Sequence, residues 1–180
     1  MSGRPRDLET LLHRAGRTAA RAEDEAAVAA VARFAASAAD EADVAYAFVD
    51  SPLGRLLVAG TRRGLNRVEY ADEDGDALLD DIAATISPRI LEAPARLDDI
   101  RRQLDEYFEG RRHAFDVTLD LRPAEGFRRR VLRATWRIPY GSVATYRDVA
   151  TRAGNAAAVR AAGNAVGWNH IPIVIPCHRV

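Results

Sequence analysis

Lysine is absent from this 180-residue sequence, and all 26 of its basic residues are arginines. Guanidinium groups suit bidentate contacts with phosphate and insertion into DNA grooves. The chain is also rich in alanine, however, and this combination is more typical of a GC-rich genome than of one function. Because 26 acidic residues balance the arginines, net charge indicates neither a histone-like protein nor a membrane-surface protein.

Cysteine is nearly absent as well, since Cys177 is the only one. A single thiol excludes an internal disulfide, and no cluster of Cys and His suggests a metal site. No apolar run is long enough to span a bilayer, the charged start does not resemble a secretory signal, and no Gly-x-Gly-x-x-Gly loop indicates a nucleotide-type cofactor. We therefore expect a cytoplasmic protein without metal, cofactor or membrane partner.

The last ten residues carry the strongest chemical signal. An apolar run stiffened by Pro172 and Pro176 delivers Cys177 directly beside His178. A thiol becomes a nucleophile when it loses its proton, which an adjacent imidazole promotes. A lone cysteine is more often a buried, inert core residue, so the surrounding residues decide between these two interpretations.

Those residues resemble the O6-alkylguanine-DNA alkyltransferases, whose signature is Pro-Cys-His-Arg-Val. The resemblance covers roughly the last third of the chain and extends more weakly back to Val44; its motifs are Ile138-Pro139-Tyr140-Gly141, Tyr146, Arg160-Ala161-Ala162-Gly163, Asn169 and Pro176-Cys177-His178-Arg179-Val180. It implies direct repair of double-stranded DNA. Cys177, activated by His178 through a water, would irreversibly accept the alkyl group of O6-alkylguanine, or of O4-alkylthymine, without a cofactor. We expect a monomer.

A helix-turn-helix is predicted before this signature. Thr145 and Asp148 form a capping-box pattern for a short helix that ends at Gly154, and Asn155 is placed to cap a second helix, 156–167. Small residues and one cation form the outer face of that second helix, which would let its backbone approach a narrow groove. The helical period places Val159, Ala162 and Val166 inside, and Ala157, Arg160 and Asn164 outside.

The resemblance implies DNA-binding roles for this region. The second helix, with Ala161, Gly163 and Asn164, would enter the minor groove. Arg160 would fill the base stack that the flipped nucleotide leaves, and Tyr146 would lie against the adjacent phosphate and help to rotate that nucleotide. Without the resemblance, the same residues would indicate only an alanine-rich helix with a surface arginine.

Three further positions concern the hinge and the end of the chain. Asn169 matches an asparagine that ties the helix-turn-helix to the active-site strand, whereas His170 replaces a proline and predicts a less rigid hinge. Family members continue beyond the signature with a glycine-rich loop and a glutamate, and this sequence stops at Val180. We therefore expect slow alkyl transfer, and two alternatives stay open: a non-enzymatic lesion-binding protein and a regulatory helix-turn-helix module.

The whole sequence predicts an α/β plus α architecture in three parts. Residues 1–43 form a helical extension, with apolar positions 8–19 and 28–35 at helical spacing. Residues 44–122 form an α/β domain, ribonuclease-H-like by resemblance, and residues 123–180 form the DNA-binding domain, with a winged-helix-like helix-turn-helix. Within the α/β domain we expect an antiparallel meander at 45–49, 55–59 and 65–70, helices at 76–86 and 97–108, and a strand at 115–121.

Two charged segments carry no motif that assigns them a role. The acids from Asp72 to Asp76 are more typical of a solvated loop than of a metal site. Arginines are concentrated in a helix predicted after Pro123, and either a phosphate-facing patch or an ordinary solvated face fits them equally well: Arg128, Arg129, Arg130, Arg133 and Arg137.

Overall fold

The computed structural model describes residues 21, 24–33, 37–38, 40–71 and 75–180. Its contacts divide the chain into two units, Met1–Glu41 and Ala42–Val180. In the first unit, residues 24–33 are helical, and Val28 and Val31 on that helix are 69% and 68% exposed. The predicted apolar positions 8–19, Ala35 and the acids at 72–74 lie outside the described residues.

The second unit begins with a four-stranded sheet. Its strands are β1 (Val44–Ser51), β2 (Gly54–Thr61), β3 (Gly64–Tyr70) and β4 (Ile90–Glu92), in the order β3-β2-β1-β4. The first three strands pair antiparallel, which confirms the predicted meander, and β4, which the sequence analysis missed, pairs parallel to β1.

Two helices accompany the sheet and confirm the predicted helical periods. Helix α1 (Asp76–Thr85) buries Ile82 in a cluster with Val44, Leu57 and Ala59 of the sheet. Helix α2 (Asp98–Phe108) follows a 3-10 turn over Pro94–Leu97. Beyond it, Gly110 has a φ of 74°, a left-handed conformation that glycine adopts at little cost.

The predicted strand at 115–121 is wrong. This segment makes only an isolated parallel bridge, between Leu65 and Leu119. The side chain of Gln103 accepts a hydrogen bond from the Asp116 amide at 2.8 Å and donates one to the Asp116 carbonyl at 3.0 Å. A side chain from α2 therefore occupies the backbone groups that a continuous strand would pair with its neighbour.

The remaining residues fold into three helices: α3 (Gly126–Trp136), α4 (Tyr146–Arg152) and α5 (Val159–Gly167). The predicted capping box is present, since the Thr145 hydroxyl accepts from the Asp148 amide and the Asp148 side chain accepts from the Thr145 amide. The predicted start of the second helix at Ala156 is wrong. Asn155 instead accepts a hydrogen bond from the Ala157 amide at 3.2 Å, which closes a turn, and α5 begins three residues later.

Small residues dominate the core between these three helices. The cluster consists of Val131, Ala134, Ile138, Ala144, Val149, Ala150, Ala153, Ala162, Ala165 and Val166. Alanine side chains let helix axes approach closely, because little volume separates the backbones. The short connections and this compact core place α4 and α5 against α3, with the Cys177 segment packed on the same cluster.

Candidate active site and nucleic-acid interface

Cys177 lies at the first position of a 3-10 turn, Cys177–Arg179, at the end of the chain. It is half-buried and packs against the core of the three helices. Its amide donates to the Ile175 carbonyl at 2.8 Å, and its own carbonyl accepts from the Val180 amide at 3.1 Å. The sulfur is thus carried by a short, internally bonded turn rather than by a mobile tail.

The apolar run before Cys177 folds as a turn, whereas the resemblance implied an active-site strand at this place. The Ile175 amide donates to the Ile171 carbonyl at 2.8 Å, and the Val174 amide donates to the Pro172 carbonyl at 2.8 Å. Ile173 has a φ of 73°, which is rare for a β-branched residue. Such a conformation costs about 1–3 kcal/mol and persists only where its surroundings enforce it. Here Ile173 and Ile175 are buried.

Asn169 joins both ends of this turn. Its side-chain amide donates to the Ile175 carbonyl at 3.0 Å, and its side-chain oxygen accepts from the Ile171 amide at 3.0 Å. Its own amide donates to the Val166 carbonyl at the end of α5, at 3.1 Å. One residue therefore connects helix α5 to the turn that leads into Cys177.

His178 follows the cysteine and presents part of its ring to solvent. Partial burial of the ring, and secondarily the positive charge of Arg179, lower the pKa of His178 below its ordinary value. The neutral imidazole, which is the form that accepts a proton, is therefore favoured. Within residues 75–180, its ring forms no direct hydrogen bond to the Cys177 sulfur.

Arg179 fastens the same 3-10 turn to the loop between α3 and α4. Its guanidinium donates to the Ile138 carbonyl at 3.0 Å and lies 5.4 Å from the centre of the Tyr140 ring. Its backbone carbonyl accepts from the Ala144 amide at 2.8 Å. Three contacts to one loop hold the residue after His178 and keep its cation near the imidazole.

The outer face of α5 is exposed and carries small residues around one long cation. Arg160, Ala161 and Asn164 are exposed, and Gly163 is half-buried. A Cβ atom added at Gly163 would come within 3.8 Å of the Tyr146 ring, so this ring lies against the glycine. Tyr146 is 45% exposed at the start of α4. The structure thus places the aromatic and small predicted residues together, and it puts Arg160 and Asn164 one turn apart.

The arginines of α3 separate into two groups. Arg128 stacks 4.5 Å from the Trp168 ring, Arg129 donates to the Ala124 carbonyl at 2.7 Å, and Arg130 donates to the Ala153 carbonyl at 2.8 Å. Arg133 and Arg137 are exposed and form no hydrogen bond or ion pair with the described residues. Three of the five arginines therefore contribute to the fold, and the two alternatives, a phosphate-facing patch and a solvated face, stay open for Arg133 and Arg137.

Charge distribution is the signal that the sequence analysis missed. Residues 123–180 contain nine arginines and only two acidic residues, whereas residues 42–122 contain eleven arginines and seventeen acidic residues. The net charge of zero for the whole chain conceals a negative segment, residues 42–122, and a positive segment, residues 123–180. Counting charge for each predicted domain, rather than for the whole chain, would have identified the positive segment as a nucleic-acid-binding candidate.

A cavity of about 310 Å³ opens beside the cysteine segment, between Tyr140, Ile173 and Pro176. Cys177 does not line it. Among the described residues, no group of three His, Cys, Asp or Glu side chains is arranged to hold a metal ion. No helix in the described part of the chain has both the length and the apolar character that crossing a membrane requires.

Comparisons with known proteins place these features in context. Residues 44–121 match a family model described as the ribonuclease-like domain of 6-O-methylguanine DNA methyltransferase, and residues 126–180 match the model of its DNA-binding domain. A methylated-DNA–protein-cysteine methyltransferase of Mycolicibacterium paratuberculosis is 39% identical over 76% of this chain and 78% of its own. The constitutive enzyme of that name in Bacillus subtilis is 35% identical over 75% and 79%.

Solved structures give the same result. The crystal structure of the Mycobacterium tuberculosis O6-methylguanine methyltransferase matches with a TM-score of 0.63 and 34% identity, over 76% of this chain and 78% of that one. The Mycobacterium tuberculosis protein OGT in complex with DNA matches with a TM-score of 0.62 and 35% identity, over 76% and 77%.

Proposed function

We propose that this chain, which belongs to the methylated-DNA–protein-cysteine methyltransferase family, repairs DNA by moving an alkyl group from O6-alkylguanine to Cys177. The observation that carries the proposal is the placement of the only thiol in a short turn beside a favoured neutral imidazole, next to an exposed helix that suits a DNA groove. Residues 44–122 would act as the supporting domain and residues 123–180 as the DNA-binding domain of a cytoplasmic monomer.

Binding precedes chemistry, because a base inside a duplex cannot reach the thiol. Extruding a nucleotide costs a few kcal/mol, which contacts on the protein side must offset. Helix α5 lies in the minor groove through its face of Ala161, Gly163 and Asn164, and Arg160 takes the place of the flipped nucleotide in the stack. Tyr146 sits at the phosphate beside that nucleotide. The support for these roles is exposure, adjacency and the absence of bulky side chains on this face.

The chemical step is a displacement at the alkyl carbon. The thiol proton of Cys177 passes through a water to the neutral ring of His178, and the sulfur then attacks. A sulfur–carbon bond forms while the bond between that carbon and O6 of guanine breaks. The electron pair of the broken bond moves into the guanine ring, which takes up a proton at N1 from water, while His178 returns the thiol proton to water. The thioether has no route back to a thiol, so each molecule reacts once.

Intact mass measurement tests the proposal directly. A duplex with one O6-methylguanine should add one methyl group to the protein and leave normal guanine, with one group transferred for each protein molecule. Cys177→Ala should bind the duplex with similar affinity and gain no mass. If the wild-type protein binds the lesion duplex without gaining mass, the chain is a non-enzymatic lesion-binding protein instead.

A further inference from the structure

His170 lies at the joint between helix α5 and the turn at 171–175 that leads into Cys177, which we call the Cys177 turn. It also contacts the sheet. Its ring nitrogen Nδ1 meets the carboxylate of Glu69 on β3. Its backbone carbonyl accepts a hydrogen bond from the Val68 amide at 2.9 Å. The ring of Trp168 packs edge-on against it, with 4.4 Å between ring centres. The sequence predicts a less rigid hinge at His170, but in the structure β3 holds this residue on one side and Trp168 holds it on the other.

The carboxylate that His170 contacts is itself held in place. Glu69 Oε1 lies 3.6 Å from Nε of Arg67, and Arg67 is 2% exposed. Arg67 also donates to Asp81 of α1 at 2.9 Å and to the Asn66 side chain at 3.0 Å. A carboxylate backed by a buried and multiply bonded guanidinium loses little further freedom when it binds a partner, so its contact with His170 is more restrictive than a surface pair.

The same joint controls the cysteine turn through its other residue. Asn169 bonds to the carbonyl of Ile175 and the amide of Ile171, and the Cys177 amide bonds to the Ile175 carbonyl. A displacement of Asn169 or His170 therefore shifts the Cys177 turn and, through the bond to Ile175, the sulfur that follows it. Reaction geometry is sensitive to such shifts, since a misplacement of about 1 Å costs about 100-fold in rate.

We propose that His170 is a positioning residue for alkyl transfer, and that its contact with Glu69 fixes the direction in which the turn presents the Cys177 sulfur. The sheet of the supporting domain thereby sets the geometry of a reaction that takes place in the other domain. The inference rests on the proposed function, because it concerns the rate of that reaction. A proline at position 170 would stiffen the joint through its ring, and we infer that the Glu69–His170 contact stiffens it instead.

The test uses the full-length protein and the free base O6-benzylguanine, so that DNA binding and base flipping play no part. Intact mass against time gives two quantities: the fraction of protein that finally gains the benzyl group, and the rate constant. His170→Ala should retain a nearly complete final fraction and lose about tenfold in rate constant. Glu69→Gln should lose less, and the double variant should be no slower than His170→Ala, because the two residues act through one contact.

Two further variants separate positioning from folding. His170→Asn keeps a hydrogen-bonding group where Nδ1 lies and should recover most of the rate. Thr61→Val removes another link between the sheet and the following segment, the 2.6 Å hydrogen bond from Thr61 to Asp120, and should leave the rate constant unchanged.

The outcomes distinguish the two proposals. If the wild-type protein gains no benzyl group, and no methyl group from a lesion duplex, the proposed function fails. If the wild-type protein reacts and His170→Ala reacts equally fast, the positioning role is overturned while the function stands. A reduced final fraction with an unchanged rate constant would also overturn it, because His170 would then only stabilise the fold. Equal slowing by Thr61→Val would have the same meaning.

Discussion

The second unit has a sheet half, residues 42–122, and a helical half, residues 123–180. The arginines of the two halves differ in whether they form ion pairs. In and just after α2, arginines are matched with acids on the same surface: Arg101 with Asp98 at 2.9 Å, Arg102 with Asp99 and Glu106, Arg111 with Glu109, and Arg112 with Glu106 at 2.7 Å. In residues 123–180, none of the nine arginines forms an ion pair with a described carboxylate. The charge of the first set is balanced by neighbouring carboxylates, whereas the charge of the second set is not balanced by any described carboxylate.

This difference indicates which face meets DNA. Phosphates supply the negative charge that the helical half lacks, and neutralising them releases counterions, which contributes to binding of any DNA sequence. Residues 42–122 carry seventeen acids against eleven arginines, and this excess of negative charge would repel a duplex from the supporting half. Under the proposed function, this charge segregation would orient the protein before any specific contact forms and would bring α5 towards the groove.

The two halves also differ in how they are packed, and this difference predicts the largest effects. The sheet half buries large side chains such as Leu56, Leu57 and Val68, whereas alanines fill the helical core. Leu57→Ala should lower the free energy of unfolding by about 2–5 kcal/mol, because it leaves a cavity. Ala162→Leu should lower it by about 1–3 kcal/mol, because it forces α5 away from α3 and α4.

Denaturant unfolding of both variants, with DNA affinity measured alongside, checks this contrast. Ala162→Leu should weaken DNA binding as well as stability, since it displaces α5, the helix proposed to enter the groove, and Leu57→Ala should affect stability alone. Equal tolerance of a leucine at Ala162 and at exposed Ala161 would show that the helical core is loosely packed.

A second prediction concerns Arg160 of the helical half. Its proposed role is steric as well as electrostatic, because it would fill the space that the flipped nucleotide leaves in the base stack. Arg160→Ala should reduce repair of a lesion duplex by about 100-fold, since nucleotide extrusion costs a few kcal/mol that the variant no longer offsets. Its reaction with free O6-benzylguanine should be unchanged. Single-turnover rates measured on both substrates test this prediction. Equal losses of rate on the two substrates would mean that Arg160 serves the alkyl-base pocket or the stability of the fold.

A third prediction compares one arginine from each half. Arg147 is exposed beside Tyr146, and Arg102 is paired with two acids. Arg147→Gln should lower the dependence of log affinity on log salt by about one unit, because one phosphate contact is lost. Arg102→Gln should leave the salt dependence unchanged. Titrations of an undamaged duplex at several salt concentrations give both slopes, and identical slopes would mean that Arg147 faces away from DNA.

Local signals explain what the sequence predicted well. The meander, α1, α2 and the Thr145–Asp148 capping box all depend on residues within a few positions of one another, and the structure contains each of them. The Pro-Cys-His-Arg-Val signature likewise identified the family. These features follow from periodicity, turn residues and motif spacing, which a single sequence displays directly.

Long-range contacts explain most of the errors, and only the late start of α5 follows from a local bond, between Asn155 and Ala157. Strand β4 has three residues and depends on pairing with β1, far along the chain, and the segment at 115–121 is diverted by Gln103. The Cys177 turn depends on the left-handed conformation of Ile173, which its buried environment enforces. The contact between Glu69 and His170 joins residues 101 positions apart. No local pattern encodes such pairs, because the tertiary fold brings them together.

The smallest expected effect concerns Arg179, the arginine of residues 123–180 whose charge acts on His178. The charge of Arg179 is the secondary cause, after burial, of the lowered pKa of His178. Removing this charge should raise that pKa, so His178 would be protonated at a higher pH and alkyl transfer to Cys177 would begin to fall at a higher pH as the solution is acidified. Rates with free O6-benzylguanine against pH should therefore show the acid limb of Arg179→Met displaced to higher pH. Arg179→Lys keeps the charge while altering the bond to the Ile138 carbonyl, and its acid limb should stay with the wild type. If both variants shift together, the position of the turn, and not the charge, governs His178.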